Sequence, residues 1–300
     1  MPRILITGGT GLIGQKITER LQAQGMSVAV LSRRPDFVRK IPAYHWDVDA
    51  QTIDESCLED TVAIIHLAGA GVADKRWTDD RKAEILHSRT RSTALLHKLL
   101  SDYPNEVKTL VSASAIGYYG NNGDEIKSEE SSPGNDFLAE VTVAWENAAN
   151  ALENLDIRLV KIRIGVVLTM HGGALAKLAV PIQWWAGAPL GSGKQYMSWI
   201  HIDDLCGIFI YALKNEALSG SYNGVSPNPV TNKEFTREVA RILNKPLILP
   251  NVPSFVLKGM LGEMASMVLG GTRVSSQKIE DAGYTFRFPD ISAALIDLLH

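Results

Sequence analysis

Glycines at 8, 11 and 14, in Gly8-Gly-Thr-Gly-Leu-Ile-Gly, follow the apolar run Ile4-Leu-Ile and open a stretch with Ile13, Ile17 and Leu21 at steps of four. A buried strand running into a helix through such a turn makes an anion site, because the helix leaves its first N–H groups unpaired and its dipole positive there. Gly8 permits the tight turn, Gly11 lets the backbone approach a pyrophosphate, and Gly14 lets the helix lie close to the strand. The turn, Thr10, Gly11, Leu12 and Ile13 included, is therefore expected to hold a dinucleotide. An apolar run, Ser27-Val-Ala-Val-Leu, leads next into Ser32-Arg33-Arg34, with no carboxylate before Asp36. An acidic residue at that place would hold a ribose 2′-hydroxyl, whereas guanidinium groups and a serine suit a 2′-phosphate, so NADP(H) is expected over NAD.

The elements that must position this turn alternate. Short apolar runs at Val62-Ala-Ile-Ile-His-Leu, Thr109-Leu-Val-Ser and Arg158-Leu-Val-Lys-Ile-Arg read as strands, separated by long helical stretches over 79–101 and 136–154. That rhythm predicts an α/β fold with a doubly wound parallel Rossmann sheet. After Arg163 the chain is punctuated by glycine and proline, with short helices expected over 203–214, 232–243 and 291–299. A smaller α/β substrate lobe at the C-terminal side is expected: residues 1–165 bind the dinucleotide, 195–225 return to that domain, and 166–194 with 226–300 form the lobe.

Composition narrows the class. Of 300 residues, 30 are Lys or Arg and 33 Asp or Glu, giving a net charge of −3 and no electrostatic case for nucleic acid or an acidic membrane. Cys57 and Cys206 stand far apart, which fits a reducing compartment and not a disulfide framework. The apolar run of three residues at the start is too short for a signal peptide, and the uncharged stretch 178–193 is too short and too broken by proline and glycine to span a bilayer. A cytoplasmic protein without a membrane partner is expected, with a homodimer possible. His45, Asp47 and Asp49 fit alternate faces of a strand end, with Asp47 toward an adenine; no metal site is expected. Trp184, Trp185 and Trp199 read first as core aromatics.

With these pieces in place, the chain resembles, over essentially its full length, the extended short-chain dehydrogenase/reductase superfamily, in its NAD(P)-dependent epimerase/dehydratase branch. Thr7-Gly-Gly-Thr-Gly-Leu-Ile-Gly, His66-Leu-Ala-Gly, Val111-Ser-Ala-Ser-Ala, Ser198-Trp-Ile-His-Ile-Asp-Asp-Leu and Tyr222-Asn-Gly-Val-Ser-Pro carry the likeness. Arg76-Trp77 with Arg89, the segment Phe137-Leu-Ala-Glu-Val through Trp145-Glu146, and a C-terminal extension from about Pro250 resemble its member-39U subgroup. The resemblance implies that the backbone of Leu67, Ala68 and Gly69 lines the cofactor and that Ser114 binds a substrate oxygen. It also implies that Arg89 reaches the cofactor with Glu84 one turn earlier, and that Arg163 lies near the nicotinamide half. Each of the three also reads as a salt-bridge partner.

The chain departs from that family at its Tyr-x-x-x-Lys pair, because no Tyr here is followed four residues later by Lys. Phe137 and Val141 stand on the helix where the pair belongs, and neither transfers a proton. Tyr118 or Tyr119 projecting into the cleft, Glu140 if burial raises its pKa, and His201 are the candidate substitutes. Two functions stay open: an NADP(H)-dependent oxidoreductase or epimerase-like enzyme on a small polar carbonyl or hydroxyl substrate, and a catalytically silent NADP(H) sensor.

Overall fold

A computed structural model describes residues 2–38 and 40–300. Its first half carries strands β1 (Arg3–Thr7), β2 (Ser27–Ser32), β3 (Ala43–Asp47), β4 (Thr52–Ile53), β5 (Thr61–His66), β6 (Thr109–Ala115), β7 (Gly123–Lys127) and β8 (Arg158–Ile164). Helices α1 (Leu12–Ala23), α2 (Asp79–Asp102) and α3 (Phe137–Asn150) connect them. The second half holds β9 (Val166–Leu168), β10 (Tyr196–Met197), β11 (Trp199–His201), β12 (Gly220–Gly224), β13 (Val230–Thr231) and β14 (Thr272–Val274). Its helices are α4 (Gly173–Gln183), α5 (Ile202–Lys214), α6 (Asn232–Ile242), α7 (Ser254–Leu261), α8 (Ala265–Leu269), α9 (Gln277–Asp281) and α10 (Ile291–Leu299).

Eight strands make the central sheet in the order β12-β8-β6-β5-β1-β2-β3-β4. Every pairing in it is parallel except the β3–β4 edge. Strand alternation explains why both faces are covered. Ile4 and Ile6 of β1, Val28 and Val30 of β2, and Val160 and Ile162 of β8 face one core, shared with Ile17 of α1 and Phe209 of α5. Leu5, Ala29, Leu31 and Leu159 face the other, shared with Leu95 and Leu99 of α2 and Ala149 of α3. Successive side chains point to opposite faces, and a sheet apolar on both needs helices on both. This is the doubly wound α/β fold expected from the alternation of runs.

Strand order reverses on either side of β1: β2 continues outward one way and β5, β6 and β8 the other. Ligands bind outside the carboxyl ends of strands at such a switch point. A third core, with Leu175 and Ala179 of α4, Phe235 and Val239 of α6 and Leu295 of α10, lies apart from the sheet. The C-terminal segment returns from there. β14 pairs with β7 in parallel, and Ile279, Tyr284 and Phe286 pack on the α1/α5 core.

Two sequence expectations need correction. Trp199 is fully buried, but Trp184 and Trp185 are 80% and 53% exposed. Pro181 sits in the last turn of α4 and the chain leaves the helix at Trp184, so both rings stand beyond the face that packs. The helix expected over 136–154 is continuous only to Asn150; a 3-10 turn, Ala151–Leu155, completes it.

Candidate active site

The glycine turn is closed by contacts that no side chain fits. Gly8 has φ of +67°, in the left-handed region, and a Cβ there would stand 3.0 Å from the Leu67 carbonyl. A Cβ on Gly14 would come 2.4 Å from the Gly8 carbonyl oxygen. Gly11 caps α1 without any side-chain hydrogen bond, and Thr10, Gly11 and Leu12 are exposed. The Gly11 N–H closes the turn onto the Gly8 carbonyl at 3.0 Å, no side chain caps the N–H groups that follow it, and Ile13 packs against the core beneath.

Thr7, at the end of β1, ties this turn to β5. Its Oγ1 accepts from the Leu67 and Ala68 N–H groups at 3.1 and 3.2 Å, so its own proton goes to His66 Nδ1 at 2.7 Å. The other ring nitrogen is then the protonated one and donates to Thr93 Oγ1 at 3.1 Å, whose hydroxyl donates to the Arg89 carbonyl. His66 is fully buried, and burial pushes its pKa down to about 4, so it is neutral. The chain Thr7–His66–Thr93 sets the height of α2 against the glycine turn.

Arg89 is the outcome of that placement. Its side chain lies over Gly69, where a Cβ would be 3.3 Å from Cζ, and over the Trp145 ring at 5.1 Å. Nη1 donates to the Ile85 carbonyl at 2.9 Å. No carboxylate among the described residues pairs with it. Burial, with the Arg81 charge adding, pulls its pKa down to about 10. A desolvated guanidinium beside the turn, lacking a counter-ion, is a place for an anion. The Trp145 indole N–H alongside is buried and also without a partner.

Arg33 and Arg34 stand exposed past β2. Ser32 Oγ accepts from the Arg34 N–H at 3.1 Å, and the Arg34 guanidinium lies 5.4 Å from the Phe37 ring centre. No ion pair among the described residues engages Arg33. Glu84 is exposed and given to Arg81, at 2.6 Å, which holds its carboxyl below the ordinary range. Asp47 accepts from the Asp49 and Ala50 N–H groups at 2.9 Å, making a turn between β3 and β4. Among the described residues no group of His, Cys, Asp and Glu forms a metal cluster.

At the carboxyl end of β6 the structure gathers a network that sequence reasoning missed. Ser114 donates to Glu146 Oε1 at 2.6 Å, and Arg163 clamps the same carboxylate through Nε at 2.8 Å and Nη2 at 2.9 Å. Arg163 Nη1 donates to the Tyr119 hydroxyl at 3.0 Å, which donates to Asn223 Oδ1 at 2.7 Å. Burial pushes the Glu146 pKa up, but the Arg163 hydrogen bonds and charge outweigh it and hold the group below the ordinary carboxylate value. Burial lowers Arg163 in turn, yet Glu146 raises it more. Ser114 and Arg163 are register partners on β6 and β8, which places them side by side.

The candidate proton donors sort accordingly. Tyr119 is fully buried with both hydroxyl hydrogen bonds made, and burial pushes it up to about 12, so it does not project into a cleft. Glu140 is exposed on the first turn of α3, without the burial its role required. His201 caps α5, accepting from the Asp203 N–H at 3.0 Å, and stacks on Phe288. Tyr118 is half-buried, with its ring 3.5 Å from the Arg163 guanidinium carbon, and no described residue bonds its hydroxyl. Arg163, expected near the nicotinamide half, is engaged with Glu146 and the two tyrosines. Phe137 meets Trp77 edge to face at 4.9 Å, and Val141 is buried.

Known proteins resemble this chain over nearly its full length. The model of the NAD dependent epimerase/dehydratase family matches residues 4–223, and a domain of unknown function (DUF1731) matches residues 252–298. An epimerase family protein SDR39U1 homolog, chloroplastic, of Arabidopsis thaliana is 39% identical over 298 residues, covering 97% of this chain and 85% of that protein. Epimerase family protein YfhF of Bacillus subtilis is 36% identical, covering 99% and 97%. The crystal structure of human epimerase family protein SDR39U1 (isoform 2) with NADPH superposes with a TM-score of 0.88 at 34% identity, over 99% of this chain and 98% of that one. From strand one to the last strand of the main sheet, this chain belongs to the NAD dependent epimerase/dehydratase family.

Proposed function

We propose that this protein binds NADP(H) and acts as an oxidoreductase or epimerase-like enzyme on a small polar carbonyl or hydroxyl compound. The observation that carries the reading is Arg89: a half-buried, desolvated guanidinium without a carboxylate among the described residues, near a glycine turn too tight for a Cβ at Gly8 or Gly14. A phosphate fits both, and the human relative that this chain matches over 98% of its length was solved with NADPH. When bound, the coenzyme supplies a hydride donor or acceptor. The N–H groups at Leu12 and Ile13, past the Gly11 cap, would hold its pyrophosphate with Arg89, and the backbone of Leu67 to Gly69 would line it. Arg33, Arg34 and Ser32 would hold a 2′-phosphate. Ser114, at the carboxyl end of β6, would touch the substrate oxygen, and Tyr118 is the group left to exchange its proton.

A second reading has its own observation. Phe137 and Val141 fill the place of the family's proton-transferring pair with packed apolar side chains, as a cofactor-binding sensor without chemistry would allow. Screening purified protein for NADPH oxidation and NADP⁺ reduction against carbonyl and carbinol libraries separates the two, with Ser114→Ala as control. Turnover abolished in that variant supports the enzyme. No turnover, together with at least tenfold discrimination between NADP⁺ and NADPH, supports the sensor.

A further inference from the structure

The hydrogen-bonding sense of Ser114 is fixed by the residue behind it. A hydroxyl has one proton and two lone pairs. At Ser114 that proton goes to Glu146 Oε1 at 2.6 Å, and no described residue donates to Oγ in return. Glu146, 6% exposed, has both oxygens on the Arg163 guanidinium, itself 4% exposed. A carboxylate so held has no proton to offer, and it accepts only. The clamp is fixed from behind, because Arg163 also donates to Tyr119, Tyr119 donates to Asn223, and the Asn223 amide donates to the Ser275 carbonyl at 3.0 Å. The Asn223 backbone N–H is held by Glu129 at 2.7 Å. Five side chains from β6, α3, β8, the turn after β6 and β12 thus agree on one direction for one proton.

We propose that Glu146 is a positioning residue that makes Ser114 an acceptor, so that the site takes a ligand hydroxyl, which donates its O–H to Ser114 Oγ, in preference to a carbonyl oxygen. The inference rests on the NADP(H) reading above and deepens it, since it names the oxidation state of the preferred substrate: a carbinol. To serve a carbonyl, Ser114 must turn its proton away from a buried carboxylate and give up a charge-assisted hydrogen bond. Bonds of that class are strong enough to impose a preference of roughly tenfold or more.

The test uses matched probes with the protein saturated in NADP⁺: cyclohexanol against cyclohexanone, and glycerol against dihydroxyacetone, with dissociation constants from ligand-observed NMR titration. Wild type is expected to hold the carbinol of each pair at least tenfold more tightly. In Glu146→Gln combined with Arg163→Met, which removes both charges together, the ratio is expected to fall toward one. Ser114→Ala, which leaves the Glu146–Arg163 clamp intact, is expected to do the same. A merely structural Glu146 would weaken both members equally and leave the ratio alone. Equal binding of the pairs by wild type, preference for the ketones, retention of neither, or an unchanged ratio in Ser114→Ala overturns the inference. A separate titration of wild type with NADPH identifies failure of the underlying reading, since that failure removes cofactor binding itself.

Discussion

Single side chains here are held against their ordinary electrostatics, and each such residue makes a signed prediction. Arg89 is a cation desolvated without a counter-ion, so replacing it with Met should leave the ligand-free protein at least as stable while weakening NADPH by about tenfold to a hundredfold. Thermal melting with and without NADPH checks both signs; equal protection in the variant would contradict them. Glu146→Ala does the reverse: it strands the buried Arg163 and should cost about 3–5 kcal/mol in urea unfolding. His66 supplies the pH dependence. Its folded pKa, about 4, lies below the ordinary value of 6.5, so below pH 6.5 the unfolded chain takes up a proton that the folded one refuses. Its contribution is therefore complete above pH 6.5 and lost as pH falls toward 4, a loss of a few kcal/mol. Urea midpoints over that range should fall in wild type, and fall less steeply in His66→Gln.

At the level of elements, the turn between β1 and α1 depends on glycines for two different reasons. Gly8 needs its positive φ, and Gly14 needs the absence of a Cβ that would sit 2.4 Å from the Gly8 carbonyl oxygen. Gly14→Ala must push α1 off the strand, so it should destabilise the fold by about 1–3 kcal/mol and weaken NADPH in the same variant; denaturant titration and calorimetry read the two effects. This part was legible in advance, since strand, turn and helix follow one another without interruption from Arg3 to Ala23 and the spacing carries the geometry. The same holds for the cores, where alternation in β1, β2 and β8 sends neighbouring residues to opposite faces. The Ser114 network was not legible. Its contacts join residues 32, 17, 44 and 104 positions apart, and no periodicity links them. Trp184 and Trp185 misled for a related reason: composition marks aromatic residues as core, while the end of α4 leaves these two outside.

Across the whole molecule, the C-terminal segment fastens to the sheet domain that carries the glycine turn. Asp204, buried in the first turn of α5, accepts from the Arg287 and Phe288 N–H groups at 2.8 and 2.9 Å, and from the Tyr284 hydroxyl. β14 pairs with β7, directly beyond the Tyr118–Tyr119 turn. Arg76 reaches the Gly259 carbonyl and Lys82 pairs with Glu263, so the loop after β5 and the first turn of α2 are tied to the same segment. Asp204→Ala should expose the stretch after residue 270 to limited proteolysis, with cleavage there preceding loss of the sheet domain; unchanged cleavage kinetics would contradict that coupling. The glycine turn, Arg89 and the Arg33–Arg34 pair are proposed to hold one anionic coenzyme between them. Isothermal titration of ligand-free protein with NADPH and NADH decides it directly. The expected result is saturable NADPH binding at least tenfold tighter than NADH, with that preference lost in Arg33→Asp. Absence of heat with either coenzyme, or equal affinity for the two, would contradict it.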